Sequence, residues 1–422
     1  MEYKPLKKLF HMYGWDNVET EYNMRLNSYS SYVTDFAIHP IQDEKQQRGI
    51  EYPLFFVLNR SLGINLEKVL KNSDRIKQLS SALPKVANEA YIKHLLINEL
   101  QSTNEIENIK STKKEIAASL NKTKGENKRF DGLVNQYIMI ENDDVEINTI
   151  TDIRHIFDSI VACEILEKDL PDGNLFRKNS IGVYDNSKSK WVHRNEFNEP
   201  EIYEYLTILL SFIKDYEAPS IYKILASHYM FEYIHPFYDG NGRVGRYILA
   251  KLLNDNLDSF TALTFSYVVN HNKNKYYKAF QEASDYFNKG EITNFIDDMM
   301  QLLIEGQNNI IETFENNTDI ITRLTQSLNE QALNKYDLNV LFILLQDKIF
   351  GSKYSRMSIK EVKNIVGYSR NKVNEVINKY ENKLIKLKRN PVVYEVKDSY
   401  VQELLTMHHT TNQIYKQTNT HH

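Results

Sequence analysis

His235-Pro236-Phe237-Tyr238-Asp239-Gly240-Asn241-Gly242-Arg243-Val244-Gly245-Arg246 joins two apolar segments of helical spacing. Before it, Ile221, Ile224, Leu225, Tyr229 and Ile234 recur as on a helix over 219–234, apolar enough to predict a central core helix. Pro236 is expected to close that helix, because proline cannot continue the hydrogen-bond ladder. A second buried helix is predicted from Arg243 to Leu253. The stretch thus reads as a helix C-terminus, a tight turn and a new helix N-terminus. Gly240 and Gly242 allow the backbone to turn its N–H groups inward. Such a nest at a helix N-terminus favours an anion, since unsatisfied donors and the helix dipole both attract negative charge. Arg243 and Arg246 can reach neighbouring phosphates, and Asp239 offers a hard oxygen ligand suited to Mg²⁺ shared with phosphate oxygens. His235 can take a proton at neutral pH. This combination describes phosphate-transfer chemistry.

The rest of the chain sets the frame. At 422 residues it is too long for one ordinary core, so two or three domains are expected. An apolar fraction of 41% and 28 tyrosines exclude a mostly disordered chain. The single cysteine, Cys163, excludes a disulfide framework and a multi-cysteine zinc site. No run approaches the roughly 18 apolar residues of a membrane helix, and Met1–Leu6 opens no signal-peptide run; a cytoplasmic protein without a membrane partner is expected. Few prolines and glycines predict a mainly α fold. Helices are expected near 84–100, 148–166 and 199–214, with Thr112 and Glu115 as a capping box. Ile181–Tyr184 and Trp191–Arg194 around a polar turn read as a hairpin, the one expected before residue 330. Residues 1–80 are the least readable.

Gly240-Asn241-Gly242-Arg243-Val244-Gly245 also fits the G-x-G-x-x-G pattern of dinucleotide folds and kinases. That pattern needs a preceding strand, and a helical pattern precedes it here, so both readings are rejected. The full string resembles the signature of the Fic family, H-P-F-x-D/N-G-N-G-R-x-x-R, at every specified position. The resemblance extends through the helices at roughly 90–310 and implies a protein adenylyltransferase. It moves AMP from ATP, with Mg²⁺, onto a hydroxyl side chain of a target protein or of itself. It implies His235 as the base, Asp239 as the metal ligand, and Gly240, Asn241 and Gly242 as the phosphate cradle, with Asn241 oriented to the α-phosphate. Arg243 and Arg246 would bind the outer phosphates, and Phe237 would anchor the core. The hairpin, with Ile181, Gly182, Val183, Trp191 and Val192, would be a flap that pairs with the target as an added strand. Tyr276 and Tyr277 resemble a pair that lines the nucleotide pocket, a role balanced against core packing. The family also admits a homodimer, which nothing in this sequence specifies.

Upstream, Thr103-Asn104-Glu105-Ile106-Glu107-Asn108 resembles the family's inhibitory pattern, Ser/Thr-x-x-x-Glu-Gly/Asn. A carboxylate at Glu107 set against Arg246 would form a charge-assisted pair where the γ-phosphate must lie. In some relatives the same glutamate positions a water that removes AMP from the target, so writer and eraser stay open.

Residues 335–400 read as a winged helix–turn–helix: a helix around Val340–Leu345, another over Ser358–Ile365, a turn at Gly367, a third over Ser369–Tyr380, then strands around Arg389-Asn390-Pro391. Between Lys353 and Lys397 twelve basic residues face four acidic ones, in a chain of net charge −4. DNA contact through 353–397 and a protein-docking module fit equally, and no residue there reads as a base reader. The expected division is 1–85 N-terminal Fic-associated region, 86–320 catalytic core with the inhibitory helix, 335–400 winged helix and 401–422 tail. Two function classes follow: a regulated AMP transferase, and a DNA-binding regulator whose core senses nucleotide.

Overall fold

The computed structural model describes residues 3–121, 128–141, 146–161, 164–185 and 190–406, the side chains of 141 and of 183–194 excepted. Cys163, the polar turn at 186–189 and the end of the tail lie outside the described residues, as do the side chains of Val183, Trp191 and Val192. The protein is mainly helical, as the composition predicts. It divides into two compact units, one from the described residues of 1–74, 98–119 and 124–308, the other from those of 75–97, 120–123 and 309–422.

The first unit opens with α1 (Leu6–Tyr13) and α2 (Trp15–Leu26). Then come β1 (Ser31–Ile38), the short β2 (Ile41–Gln42) and β3 (Lys45–Gln46), and β4 (Tyr52–Val57). β1 pairs antiparallel with β4, and β2 with β3 inside that connection. The 181–194 hairpin is therefore not the first strand pair, which corrects the sequence reading. The signal was period two: Thr34, Phe36 and Ile38 face inward while Asp35 and Val33 are exposed. Leu6, Val18, Tyr22, Phe55 and Val57 close a small cluster beneath these elements.

α3 (Arg60–Ala82) and α4 (Lys85–Ile106) each begin in one unit and end in the other. α5 (Lys113–Leu120) starts at Thr112, whose hydroxyl accepts from the Glu115 N–H while Glu115 accepts from the Thr112 N–H, the predicted box. α6 (Asp131–Ile138) precedes α7 (Ile150–Ile160), which is shorter than the periodicity suggested and is capped by Thr149 with Asp152. β5 (Ile181–Asp185) and β6 (Lys190–Asn195) pair antiparallel from Ile181 opposite Asn195 to Asp185 opposite Lys190.

α8 (Glu199–Asp215) leads to α9 (Ser220–Ile234), which is buried on nearly every side. A helix apolar all round belongs in the core. It packs on α10 (Asn241–Asn256). α11 (Ser259–Ala262), α12 (Phe265–His271), α13 (Lys273–Ala283) and the start of α14 (Thr293–Glu330) complete the unit. Burial of Phe237 against Phe157, ring centroids 4.0 Å apart, fixes the α9–α10 corner to α7. A fully buried phenylalanine contributes roughly 1.5–3 kcal/mol.

In the second unit α14 stays helical through the polar run Glu315–Asp319 and on to Glu330. The chain then turns at Ala332 (φ +49°), and Asn334 caps α15 (Lys335–Phe350). α16 (Ile359–Val366), α17 (Arg370–Lys379) and the antiparallel pair β7 (Leu384–Arg389) and β8 (Val392–Val396) follow.

Candidate active site

The site forms where α9 stops and α10 starts. α9 ends at Ile234, and His235 takes the left-handed conformation at φ +51°, ψ +63°. A residue before proline is pushed out of the right-handed helical region, and histidine is among the residues that tolerate the left-handed one. Pro236 thus closes the helix through its neighbour. Gly240 supplies a second left-handed residue (φ +85°) as N-cap of α10, whose first-turn N–H groups at Asn241, Gly242 and Arg243 have no intrahelical acceptor. The Asn241 amide holds the turn shut: Oδ1 accepts from the Phe237 N–H at 2.9 Å and Nδ2 donates to the Phe237 carbonyl at 2.7 Å. The amide oxygen and one amide hydrogen are engaged within the loop, so the second amide hydrogen and the backbone N–H are its donors toward an anion.

His235 is partly buried, its side chain 14% exposed. Its Nδ1 lies 3.2 Å from the Glu232 carbonyl. A carbonyl only accepts, so Nδ1 carries the proton and Nε2 the ring lone pair. Burial and the nearby Arg177 cation lower its pKa to about 4, so the imidazole is neutral at pH 7.

Arg177, fully buried, was not read from the sequence. Its guanidinium donates to the carbonyls of His235 (2.8 Å), Ile234 (3.2 Å), Asn179 (2.6 Å) and Phe197 (2.6 Å), and to Asn195 Oδ1 (3.1 Å). It satisfies the last carbonyls of α9 and fixes the His235 backbone. Burial pushes its pKa down to about 10. Replacing Arg177 with methionine should lower unfolding stability by about 3–5 kcal/mol, since several buried acceptors lose their donor. Urea unfolding of the two proteins measures this, and a difference under about 1 kcal/mol would contradict the clamp.

Two arginines converge on the N-terminus of α10. Arg243 is buried and pairs with Glu164 at 3.2 Å; its Nε has no hydrogen-bond partner among the described residues. Arg246 is 2% exposed and donates through Nη2 to Glu107 Oε1 at 2.8 Å and to the Thr103 carbonyl at 3.1 Å. Its Nε donates to Thr103 Oγ1 at 2.9 Å. Burial would lower its pKa, but Glu107, Tyr276 and Glu232 together raise it. The upstream pattern acquires a structural reason. Thr103 and Glu107 lie one turn apart at the end of α4 and grip the same guanidinium. Asn108 takes φ +58° to end the helix, a conformation open to glycine and asparagine. Lys273 Nζ donates to the Glu105 carbonyl at 2.7 Å and Tyr277 to the Ile106 carbonyl at 3.2 Å, so α13 holds this helix end in place. At Gly242 any side chain would overlap the Glu107 carboxylate.

Beside Arg246 opens a cavity of about 120 Å³, lined by Glu107, Glu232, His235, Gly242, Arg246, Tyr276, Tyr277, Tyr229, Tyr233, Phe280 and Ser284. Its walls are apolar where the tyrosines and Phe280 stand and charged where Glu107 and Arg246 meet. Tyr276 is buried, its hydroxyl 2.8 Å from His228 Nε2. Burial drives the Glu232 carboxyl up to about 8, so this unforeseen acid is largely protonated at pH 7. Its Oε2 lies 4.0 Å from His235 Nδ1.

Asp239 is exposed, with Oδ1 accepting from the Gly240 N–H at 2.6 Å. No group of three or more metal-ligating side chains occurs among the described residues. A lone outward carboxylate beside a phosphate cradle fits a Mg²⁺ completed by substrate oxygens and water. The sequence-predicted His235, Asp239, Gly240, Asn241, Gly242, Arg243, Arg246, Thr103, Glu107 and Asn108 thus belong to one neighbourhood, with Tyr276 and Tyr277 on the cavity wall. The β5–β6 hairpin forms a two-stranded sheet of its own, tied to α9 where Asn195 donates to the Tyr233 carbonyl at 2.7 Å.

Residues 152–253 match the family model described as Fic/DOC family. Among solved structures, a Fic family protein from Desulfovibrio desulfuricans covers 81% of this chain and 97% of its own, with TM-score 0.52 and 15% identity. At that identity the likeness speaks for the fold. A Fic domain containing signaling protein from Bacteroides thetaiotaomicron matches at 16% identity, TM-score 0.43, over 59% of this chain and 97% of its own. Fic-1 from C. elegans matches at 15% identity, TM-score 0.43, over 60% of this chain and 74% of its own. No curated protein matches the sequence.

Proposed function

We propose that this chain, which carries a Fic/DOC family domain at residues 152–253, is a protein adenylyltransferase held in check by Glu107. The family points to transfer of a nucleoside monophosphate; the choice of AMP and the residue roles are our reading. The observation that carries it is His235 at the end of α9, its Nδ1 3.2 Å from the Glu232 carbonyl, in the loop that leads into the open N-terminus of α10.

The hydroxyl oxygen of the target attacks the α-phosphorus of ATP. The hydroxyl proton passes to His235 Nε2, the bond from the α-phosphorus to the bridging oxygen breaks, and pyrophosphate leaves. The first-turn N–H groups of α10 hold phosphate oxygens, and Arg243 and Arg246 balance the charge on the departing pyrophosphate. Asp239 would hold a Mg²⁺, which supplies neutralisation of phosphate charge when bound. The tyrosine-walled cavity would take the nucleoside. The outer edge of the β5–β6 hairpin would take the target backbone as a further strand.

Glu107 supports the inhibitory half of the reading, because it occupies the Arg246 contact that a γ-phosphate would need. Purified protein and a Glu107→Gly variant are incubated with Mg²⁺ and ATP labelled at the α- or the γ-position. Retention of α-label alone is expected. Retention of γ-label alone would mean phosphoryl transfer and sink the proposal; retention of neither, beside a target labelled by an authentic transferase, would favour removal of AMP.

A further inference from the structure

α16 and α17 are joined by three residues, Gly367 to Ser369. Gly367 takes φ +70° and Ser369 caps α17 by accepting from the Lys372 N–H. A short glycine-containing turn of this kind builds a helix–turn–helix. Val362, Val373, Val376, Ile377, Leu384 and Val396 are buried among these elements and β7–β8, so the opposite surfaces of α17 and the hairpin face outward.

Two groups of cations in this unit differ in their surroundings. Lys348, Arg356, Lys379 and Lys383 each pair with a carboxylate: Glu395 for the first two, Asp337 and Glu403 for the others. Lys360, Lys363, Arg370, Lys386 and Arg389 have no carboxylate partner among the described residues, and they line one groove between α16, α17 and the hairpin. No acidic residue lines it. Like charges are gathered there at an electrostatic cost unless a polyanion neutralises them.

One helix face adds what the composition did not show. Arg370, Asn374 and Asn378 follow at intervals of four along α17 and all face the groove. Their spacing spans about 12 Å, roughly three to four base-pair steps of a duplex. Arginine and asparagine are the residues that pair two hydrogen bonds with guanine and adenine edges in the major groove. An acidic protein partner would need the cations but not the asparagines.

We propose that residues 335–396 form a winged helix–turn–helix that holds duplex DNA, with α17 in the major groove and the cations of α16 and the hairpin on the phosphate backbone. The measurement is fluorescence anisotropy of fluorescein-labelled duplexes, about two helical turns long, with the full chain. One duplex pool is random and one is selected on the protein. Random duplex should bind with an affinity that falls steeply as salt rises between about 50 and 200 mM. Lys363→Glu with Arg389→Glu, both exposed and checked for fold by circular dichroism, should weaken that binding at least about tenfold and flatten the salt slope by about two. Asn374→Ala with Asn378→Ala should erase the preference for the selected pool while keeping random binding. Three results would overturn the proposal: no salt-sensitive duplex binding, duplex binding unchanged by the charge reversals, or polyglutamate bound as tightly as duplex. The last would assign the groove to an acidic protein. AMP transfer does not enter the readout, so this result and that of the labelling experiment are independent.

Discussion

His235→Ala should lower AMP transfer by about a thousandfold, in the wild-type background and with Glu107→Gly alike. The imidazole carries its proton on Nδ1, beside the Glu232 carbonyl, so Nε2 holds the lone pair that would take the acceptor proton. Nucleotide binding should persist, since the cradle is backbone and arginine. Single-turnover labelling with α-labelled ATP separates the two. Residual transfer within about tenfold of wild type would remove His235 from the chemistry. The pH profile offers a second check. With a pKa near 4 in place of the ordinary 6.5, the base stays neutral in mild acid, so the acid limb of kcat/KM should fall below the usual histidine range. The same depression has a stability cost of definite sign. Between pH 6.5 and about 4 the unfolded chain binds a proton that the folded chain refuses, so stability falls as pH falls through that window. His228, lowered by burial to about 3, adds in the same direction.

Glu107→Gly should raise labelling by about 10- to 100-fold. A hydrogen-bonded pair involving charge is worth roughly 1.5–3 kcal/mol, and each 1.4 kcal/mol is about tenfold. Arg246 keeps its two bonds to Thr103, so the variant should remain folded with its guanidinium aimed at the cavity. Initial rates at fixed ATP give the answer; equal rates for the two proteins would end the inhibitory reading. Glu107→Gln, which keeps the shape and loses the charge, should fall between them.

The loop was legible because its residues are contiguous: twelve of them hold the proposed base, the proposed metal ligand, the glycine turn and both arginines. The carboxylate on Arg246 was legible only through a pattern 139 residues upstream, which composition alone would have left on a helix surface. Arg177 and Glu164 went unread for the same reason. They meet His235 and Arg243 across 58 and 79 residues, and no periodicity encodes such a meeting. Glu232 was more accessible. It is the lone carboxylate on a largely apolar core helix, three residues before His235, and a buried acid in that position calls for a partner. The β1–β4 pair was hidden because its connection holds a smaller hairpin of its own, so no tight-turn signal joins the two strands. In the basic segment the charge excess was visible, but its sorting into paired and unpaired cations needed the fold.

The carboxylate that grips Arg246 is covalently tied to the chain it restrains. Its local concentration at the guanidinium is set by the last turn of α4, and no dilution of the protein changes it. On the proposed reading ATP would compete against a fixed internal rival, and the degree of restraint would depend on nucleotide level and not on protein concentration. Such an arrangement behaves as a threshold set in the sequence, and shortening or loosening the turn at Asn108 would move that threshold without touching a single reacting atom.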